Sequence, residues 1–426
     1  MDKFVITGGR PLHGTVQASG NKNAALPMMA ACFLTEDPVI LHNMPNIKDT
    51  QTMRQLLESL GLMVEVIGDS SWRLQAKNIR PSDLDPDLCR KIRASILLAG
   101  PMVARFGELV LPPPGGDVIG RRRVDTHVLA LEKLGAEFSI NGFFKFKAKR
   151  LQGADILLDE ASVTATENTI MSAVLAKGTT TIRNAASEPH IQELCKLLNA
   201  MGADVRNIGS NTLEIEGKDS LHGAEFTIGP DYLEVISFVG AAVVTRGEIR
   251  VKNAGVEHLS MIKLVLKRLG VDMTFVGDDI LVGANQRLVI EPDLGNAVPE
   301  ISVMPWPAFP TDLMSIAIVI ATQSTGSILF HDWMYPSRMF FTDKLVSMGA
   351  QIVLCDPHRC IVNGPTRLNA EKLDSPDIRA GIALVLAALS ADGTSIIRNV
   401  NQIDRGYERI DEKLRSLGAE IVRETA

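Results

Sequence analysis

The stretch from Pro112 to His127, PPPGGDVIGRRRVDTH, gathers the groups in this chain best suited to acid–base and anion chemistry. Prolines and glycines set its backbone, Asp117 stands alone at its turn, and Arg121, Arg122 and Arg123 follow in a row. Three adjacent guanidiniums repel one another unless water or an anion neutralises them. A solvated charge run accounts for the arginines, but less well for an isolated carboxylate on a glycine-flanked turn before a helix start. That combination points to an anion site with an acid beside it, because a helix N-terminus offers unpaired N–H groups. Further polar residues open predicted apolar helices: Lys22 and Asn23, Arg93, Asn168, Asp231 and Glu234, Asp312, and Asp377 and Arg379. Others lie in loops leading to amphipathic helices: Lys48 and Asp49, Asp117 and Arg122, Glu188, Glu257, Arg338, and Asp404 and Arg405. Cations stabilise the other end of a helix, so Lys and Arg at these places break the local rule and mark function. Helix capping and salt bridges at a domain interface explain the acids Asp49, Glu188, Asp231, Glu257 and Asp404 equally well.

These positions recur because the chain repeats. The pattern Leu-x-x-[Leu/Met]-Gly occurs six times, ending at Gly61, Gly135, Gly202, Gly270, Gly349 and Gly418, with gaps of 67 to 79 residues. Each copy closes an amphipathic stretch such as HIQELCKLLNAMG and is followed by a short alternating segment such as ADVRNI or AEIVRE. The spacing keeps both apolar residues on one helical face, and the glycine suits a left-handed C-cap. A short strand precedes each amphipathic helix: PVILHN, GELVLP, GTTTIRN, GEIRVKN, GSILFHD and GTSIIRN. Before those lie mostly apolar helices, among them AALPMMAACFL, ASILLAGPMVA, TIMSAVLA and IRAGIALVLAALSA. Helices apolar nearly all round are interior. One repeat reads as buried helix, strand, loop, exposed helix, glycine cap, strand. The period is too long for a solenoid, so each repeat is a small α/β module, three to a domain.

A chain of 426 residues has room for two or three domains, and 46% hydrophobic with 22% charged residues is the balance of a cored globular protein. The net charge of −6 argues against nonspecific nucleic-acid binding and confines any bound phosphate to a local basic pocket. The opening MDKFVITGG does not read as a secretory signal. The apolar runs Ile236–Val244, Leu313–Ala321 and Ala380–Ala391 are shorter than the ~20 residues that span a bilayer. Cys32, Cys89, Cys195, Cys355 and Cys360 have no C-x-x-C spacing and are expected as reduced thiols of a cytoplasmic protein. Cys355, His358 and Cys360 read as a turn between strands in preference to a metal site.

With SGNKNAALP at the first buried helix, KIRASILLAGPMVARFG at the second, GGDVIGRRRVDTH, FPTD at Phe309–Asp312 and IDRGYERIDEKLRSLGA, the chain resembles the UDP-N-acetylglucosamine 1-carboxyvinyltransferases along its full length. The resemblance implies an α/β fold of two inside-out barrels, each of three repeated α/β units, in agreement with the repeat count. It implies a domain of repeats one to three at 22–230, a second of repeats four to six at 1–21 plus 231–426, and an active site in the cleft between them. The implied reaction opens bacterial peptidoglycan synthesis. The 3-hydroxyl of UDP-N-acetylglucosamine attacks C2 of phosphoenolpyruvate, a proton is delivered to C3, and phosphate leaves. Those two small molecules are the implied partners. No metal or organic cofactor, nucleic acid, membrane or obligate protein partner is expected. A trianionic substrate must be held while positive charge develops at C2, a task suited to preorganised cations at helix N-termini.

Residue by residue, Lys22, Arg122 and Arg405 match the family's phosphoenolpyruvate-binding cations, Lys22 counting also as catalytic, with Asn23 beside them. Arg338 and Arg379 match the arginines for that substrate's carboxylate, where a bidentate fork is chemically apt. Arg93 matches a position near the sugar nucleotide. Arg122, Arg123, Val124, Asp125 and Thr126, with Glu160, Ala161, Ser162 and Val163, match the stretches lining the uridine nucleotide, and Met334 matches a further contact to it. Asp312 matches the aspartate that contacts the sugar 3-hydroxyl and serves as general base. Asp117 stands at the position of the proton donor, a cysteine in many members. A free Cys with pKa near 8.5 carries its proton at neutral pH, whereas a free Asp near 3.9 does not. Asp117 can donate only if loop closure or the substrate's charges raise its pKa. It also lacks the soft nucleophile that the epoxide fosfomycin alkylates, so insensitivity to that drug is expected.

Three features depart from the family's common pattern. Ile236-Ser237 replaces the small pair after the PDxxE-type motif, HDWMYPSR before Arg338 is longer and more aromatic than the common Glu-Asn-Arg form, and Arg123 stands where many members have proline. The sister transferase that uses shikimate 3-phosphate shares the repeats and is the main alternative, disfavoured by the GGDVIGRRRVDTH loop and KNAALP. A non-catalytic paralogue would lack charges such as Lys22, Asp117, Asp312 and Arg405, all present here. A plain nucleotide-binding module is disfavoured because no G-x-G-x-x-G or G-x-x-x-x-G-K-[ST] follows a predicted strand.

Overall fold

The computed structural model describes residues 2–80, 84–116, 120 and 122–425. Every copy of the repeated Leu-x-x-[Leu/Met]-Gly pattern ends a helix or helical turn. Its glycine has φ between +78° and +103°, backbone that crowds any β-carbon. At the first copy the Gly61 N–H donates to the Glu58 carbonyl (2.9 Å) and the Leu62 N–H to the Leu57 carbonyl (3.1 Å). The longer bond recurs as Ala136 to Leu131, Ala203 to Leu198, Val271 to Leu266, Ala350 to Leu345 and Ala419 to Leu414. These paired bonds satisfy carbonyls that a helix end otherwise leaves open. The conserved spacing inside the chain is thus a helix-closing device used six times.

Each predicted strand before an amphipathic helix is present, as Val39–His42, Glu108–Leu111, Thr179–Arg183, Glu248–Lys252, Gly326–His331 and Thr394–Arg398. Among the described residues each repeat holds a further strand beyond the two expected, and five of the six hold a short fourth one, such as Asp155–Leu157, that pairs parallel with the predicted strand. After each of the first five glycines the chain forms a hairpin, such as Met63–Gly68 with Ser71–Gln75, whose second strand pairs antiparallel with the predicted one. In the last repeat that second strand is Lys3–Thr7, which lies between Thr394–Arg398 and Glu420–Glu424. The N-terminus therefore completes the sixth repeat.

The chain divides into two compact units. A terminal unit holds residues up to Ser19 and from Pro230 onward, and a central unit holds the described residues from Gly20 to Gly229 other than Gly120. The exchange between them is visible in strand pairing. Within the central unit, Asp155–Leu157 pairs parallel with Thr179–Arg183 across an intervening buried helix. His13–Gln17, by contrast, precedes the central unit's first helix yet pairs parallel with Glu248–Lys252 of the terminal unit. Glu225–Thr227, just before the return, pairs with Val39–His42 in the central unit. Among the described residues the terminal unit has three four-stranded sheets; the central unit has two of four strands and one of three.

Each unit has its own apolar core built round its inner helices. In the terminal unit every residue of Tyr232–Val244 and of Met314–Thr322 is buried, as is Ile378–Ser390 up to its last residue. Burying such side chains contributes roughly 1.5–3 kcal/mol for each large aliphatic one. Gly240 lets the three helices approach: a β-carbon there would lie 2.8 Å from Leu386 and 2.9 Å from Ile316. Asn168, expected to open an inner helix, instead lies midway along Val163–Ala173, because Ser162 caps that helix by accepting the Ala165 N–H. Among the described residues no helix is long and apolar enough to cross a membrane.

Candidate active site

In the central unit the helix Lys22–Ala31 starts where the Asn21 side chain accepts the N–H groups of Asn23 (2.8 Å) and Ala24 (3.3 Å). Lys22 is its first residue. Its ammonium, nearly excluded from solvent, lies 2.6 Å from Oδ2 of Asp49, near the start of the outer helix Lys48–Ser59. Asp49 therefore serves as the counter-ion of a cation standing at the wrong end of its helix.

Arg93 heads the short helical turn Arg93–Leu98 and points back at the arginine loop, donating to the carbonyls of Arg122 (3.2 Å) and Arg123 (2.7 Å). The loop is anchored on the same side by Gly115, whose N–H donates to the Cys89 carbonyl (3.1 Å). A β-carbon at Gly115 would sit 1.6 Å from the Arg90 carbonyl oxygen, so no other residue fits. Asp117 lies outside the described residues.

The two stretches matched to a uridine nucleotide are brought together by a residue the sequence reading passed over. Asp159 accepts the Thr126 hydroxyl (2.6 Å) and the Arg123 guanidinium (2.8 Å), and Arg123 also reaches Asp125 (3.3 Å). The Thr126 bond and the Arg123 charge hold the Asp159 carboxyl below its ordinary range. Beneath them, buried His127 contacts Thr164 through Nε2 (3.1 Å), and the Asn168 amide donates to Nδ1 (2.8 Å). Burial, with Arg93 adding its charge, pushes the His127 pKa down to about 3, so the ring is neutral. A groove of about 620 Å³ runs along the outer helix Asp125–Lys133, lined by Arg123, Val124, Val128, Leu129, Phe138 and Asp159. It sets an apolar wall beside a polar edge, the composition of a small-molecule site. Glu160 and Ser162 shape the next turn, the Ser162 N–H donating to the Glu160 carbonyl (2.8 Å) ahead of the helix that follows Ala161 and begins at Val163.

In the terminal unit Asp312 sits in the turn Thr311–Leu313 just before the inner helix Met314–Thr322. One carboxylate oxygen accepts Arg338 (2.9 Å) and the other Arg379 (3.1 Å). The two arginine side chains are 4% and 7% exposed, against 28% for Asp312, so the acid is the open face of the cluster. Each guanidinium lies over a tyrosine ring, Arg338 on Tyr335 (5.3 Å) and Arg379 on Tyr407 (5.8 Å). Burial opposes both charges, yet Asp312 together with further acids and the tyrosine beside each guanidinium outweighs it, and each arginine holds its proton above the ordinary range. The departure at Ile236-Ser237 becomes intelligible here: the Ser237 and Tyr407 hydroxyls are 3.0 Å apart, under Arg379. Met334 packs half-buried against the core, and its N–H donates to Asp332 (3.1 Å). Arg405 ends the turn Val400–Arg405 and donates to Gln402 (3.1 Å).

No buried thiol competes as a nucleophile. Burial pushes the Cys89, Cys195 and Cys360 thiols up to about 12 and raises Cys32 further. His358 lies in the hairpin turn between Gln351–Asp356 and Arg359–Gly364, its Nδ1 2.7 Å from the Asp332 carbonyl.

Residues 6–414 match the family described as EPSP synthase (3-phosphoshikimate 1-carboxyvinyltransferase). The UDP-N-acetylglucosamine 1-carboxyvinyltransferase of Bradyrhizobium diazoefficiens is 55% identical over 421 residues, covering 99% of this chain and 98% of that one. The enzyme of the same name from Treponema denticola is 53% identical over 421 residues and 99% of both chains. Among solved structures, the enolpyruvyl transferase NikO from Streptomyces tendae superposes with a TM-score of 0.87 at 25% identity, over 100% of this chain and 99% of that one. An EPSP synthase from Acinetobacter baumannii shares the fold, with a TM-score of 0.76 at 17% identity over the whole of both chains. With more than half of its residues shared with transferases of one name, this chain belongs to the UDP-N-acetylglucosamine 1-carboxyvinyltransferase family and has the enolpyruvyl transferase fold.

Proposed function

We propose that the protein transfers the enolpyruvyl group of phosphoenolpyruvate to the 3-hydroxyl of UDP-N-acetylglucosamine with release of phosphate, the committed step of peptidoglycan synthesis in the cytoplasm. Asp312 takes the proton of the sugar hydroxyl as its oxygen bonds C2, and Asp117 delivers a proton to C3. Loss of a C3 proton with departure of phosphate from C2 then restores the double bond. Lys22, Asn23, Arg122 and Arg405 hold the phosphate end, and Arg338 and Arg379 hold the carboxylate. Arg93, Arg122 to Thr126, Glu160 to Val163 and Met334 line the sugar nucleotide.

The observation that carries this reading is Asp312 held between two buried arginines. A carboxylate so paired is a weak base, because its counter-charges stabilise the ionised form. The substrate carboxylate offers the same guanidiniums a better-placed partner. As Arg338 and Arg379 turn to it, Asp312 loses its counter-charges and its proton affinity rises next to the hydroxyl it must deprotonate. The base is thereby switched on by the arrival of the electrophile. On the nucleotide side, the groove lined by Arg123, Val124, Asp125 and Asp159 offers apolar and polar surface together, which supports a nucleotide's place there.

The test is phosphate release from phosphoenolpyruvate with each acceptor in turn. Release that depends on UDP-N-acetylglucosamine is expected. Turnover with shikimate 3-phosphate and none with the UDP-sugar would reverse the assignment.

A further inference from the structure

Asp332 follows the strand Gly326–His331 and is fully buried. Its Oδ2 accepts the Thr311 hydroxyl at 2.5 Å, and its Oδ1 accepts the backbone N–H groups of Met334 (3.1 Å) and Tyr335 (3.2 Å). Its own backbone is fixed by the facing hairpin, the Asp332 N–H donating to the His358 carbonyl at 2.8 Å. One carboxylate thus ties together two segments of the chain. The first is the turn Thr311–Leu313 carrying Asp312; the second is the loop leading to Arg338. The circuit closes where Arg338 meets Asp312 at 2.9 Å.

An acid at zero exposure is costly unless its oxygens are hydrogen-bonded, and here both are, by the Thr311 hydroxyl and by two backbone N–H groups. A carboxylate is useful here because it can accept from two segments at once. Resting on the assignment of Asp312 as general base, we propose that Asp332 and Thr311 are positioning residues for the reaction, the Thr311–Asp332 bond holding Asp312 in line with the attacking hydroxyl and with Arg338. A displacement near 1 Å at such a group can cost up to ~100-fold in rate. The loop takes part in catalysis although neither tether residue touches the reacting atoms.

The experiment compares Thr311→Val, Thr311→Ser and Asp332→Asn with the unaltered chain, using Asp312→Asn as reference. Turnover is expressed per folded molecule, with urea unfolding run in parallel. Thr311→Val is expected to lower kcat about tenfold while leaving KM for phosphoenolpyruvate within about twofold, and Thr311→Ser to restore kcat. Asp332→Asn should slow turnover at least as much. If Thr311→Val keeps kcat within about twofold, or Thr311→Ser is as slow as Thr311→Val, the tether has no catalytic role. If Asp312→Asn keeps full turnover, the base assignment fails and the tether's role falls with it. An inactive Asp312→Asn beside a fully active Thr311→Val removes the tether alone.

Discussion

Nζ of Lys22 and Oδ2 of Asp49 lie 2.6 Å apart with side chains only 10% and 6% exposed, each at the N-terminal end of a different helix. Two charges so nearly dry are stable together and expensive apart: removing one partner of such a pair costs about 3–5 kcal/mol. Asp49→Ala should therefore destabilise the chain by about 3 kcal/mol in urea unfolding, while Lys22→Met combined with Asp49→Leu should lie closer to the unaltered protein than the single Asp49 change. The double variant should be inactive, since the phosphate loses its proposed cation. A double variant less stable than Asp49→Ala would contradict this account of the pair.

Arg338 and Arg379 are likewise paired before any substrate arrives, and the partner is Asp312, the proposed base. Asp312→Asn should lower kcat by at least ~100-fold, the scale of general base catalysis. The same change removes a competitor for the two guanidiniums, so KM for phosphoenolpyruvate should stay level or fall. Arg379→Ala should do the opposite, raising that KM steeply. Steady-state kinetics with each substrate varied separates the two patterns. A raised KM in Asp312→Asn would show that the acid and the substrate do not share the arginines.

The repeats, their glycine closures and the buried helices were legible because each rests on short-range periodicity, as Leu57-x-x-Leu60-Gly61 and its five copies show. The hairpin's second strands lack a landmark of that kind: Phe144–Lys147 is four residues with one side chain buried, and nothing in its sequence marks it off from loop. The candidate site was legible where residue type carries charge, as at Arg379 and Asp312, which the fold pairs at 3.1 Å. It was not legible where a role comes from packing. Asp159 joins Thr126 to Arg123 from the end of a separate strand–loop segment, and Asn168 reaches His127 from the middle of a helix. Asp332 is one acid among many until the fold sets it against Thr311.

His127 gives the central unit an acid sensitivity whose sign follows from its burial. Its folded pKa is down to about 3, below the value near 6.5 of an unfolded histidine. Above pH ~6.5 neither state binds the proton and nothing is lost. Between there and about 3 only the unfolded chain takes it up, so stability falls as pH falls, with a limiting slope of about 1.4 kcal/mol per unit. His127→Gln should remove that part of the slope. Urea midpoints at pH 7 and pH 5 for both proteins measure it, and equal shifts in the two would assign the acid sensitivity elsewhere.

Asp117 raises the sharpest question of mechanism, because a carboxyl must carry a proton at neutral pH to serve as the acid. Substrate anions brought beside it would raise its pKa and supply the need only when the substrate is bound. Asp117→Asn should abolish turnover, since an amide keeps the hydrogen-bonding shape but gives up no proton. Asp117→Cys should restore it in part and bring a liability, because a thiolate opens the fosfomycin epoxide and stays bonded to it. The unaltered chain should keep full activity through prolonged exposure to fosfomycin, and the Cys variant should lose it progressively with time. Phosphate release followed after timed incubation reads both. Time-dependent inactivation of the unaltered chain would mean that another nucleophile stands in the loop's place, and full turnover by Asp117→Asn would move the proton donor away from this residue.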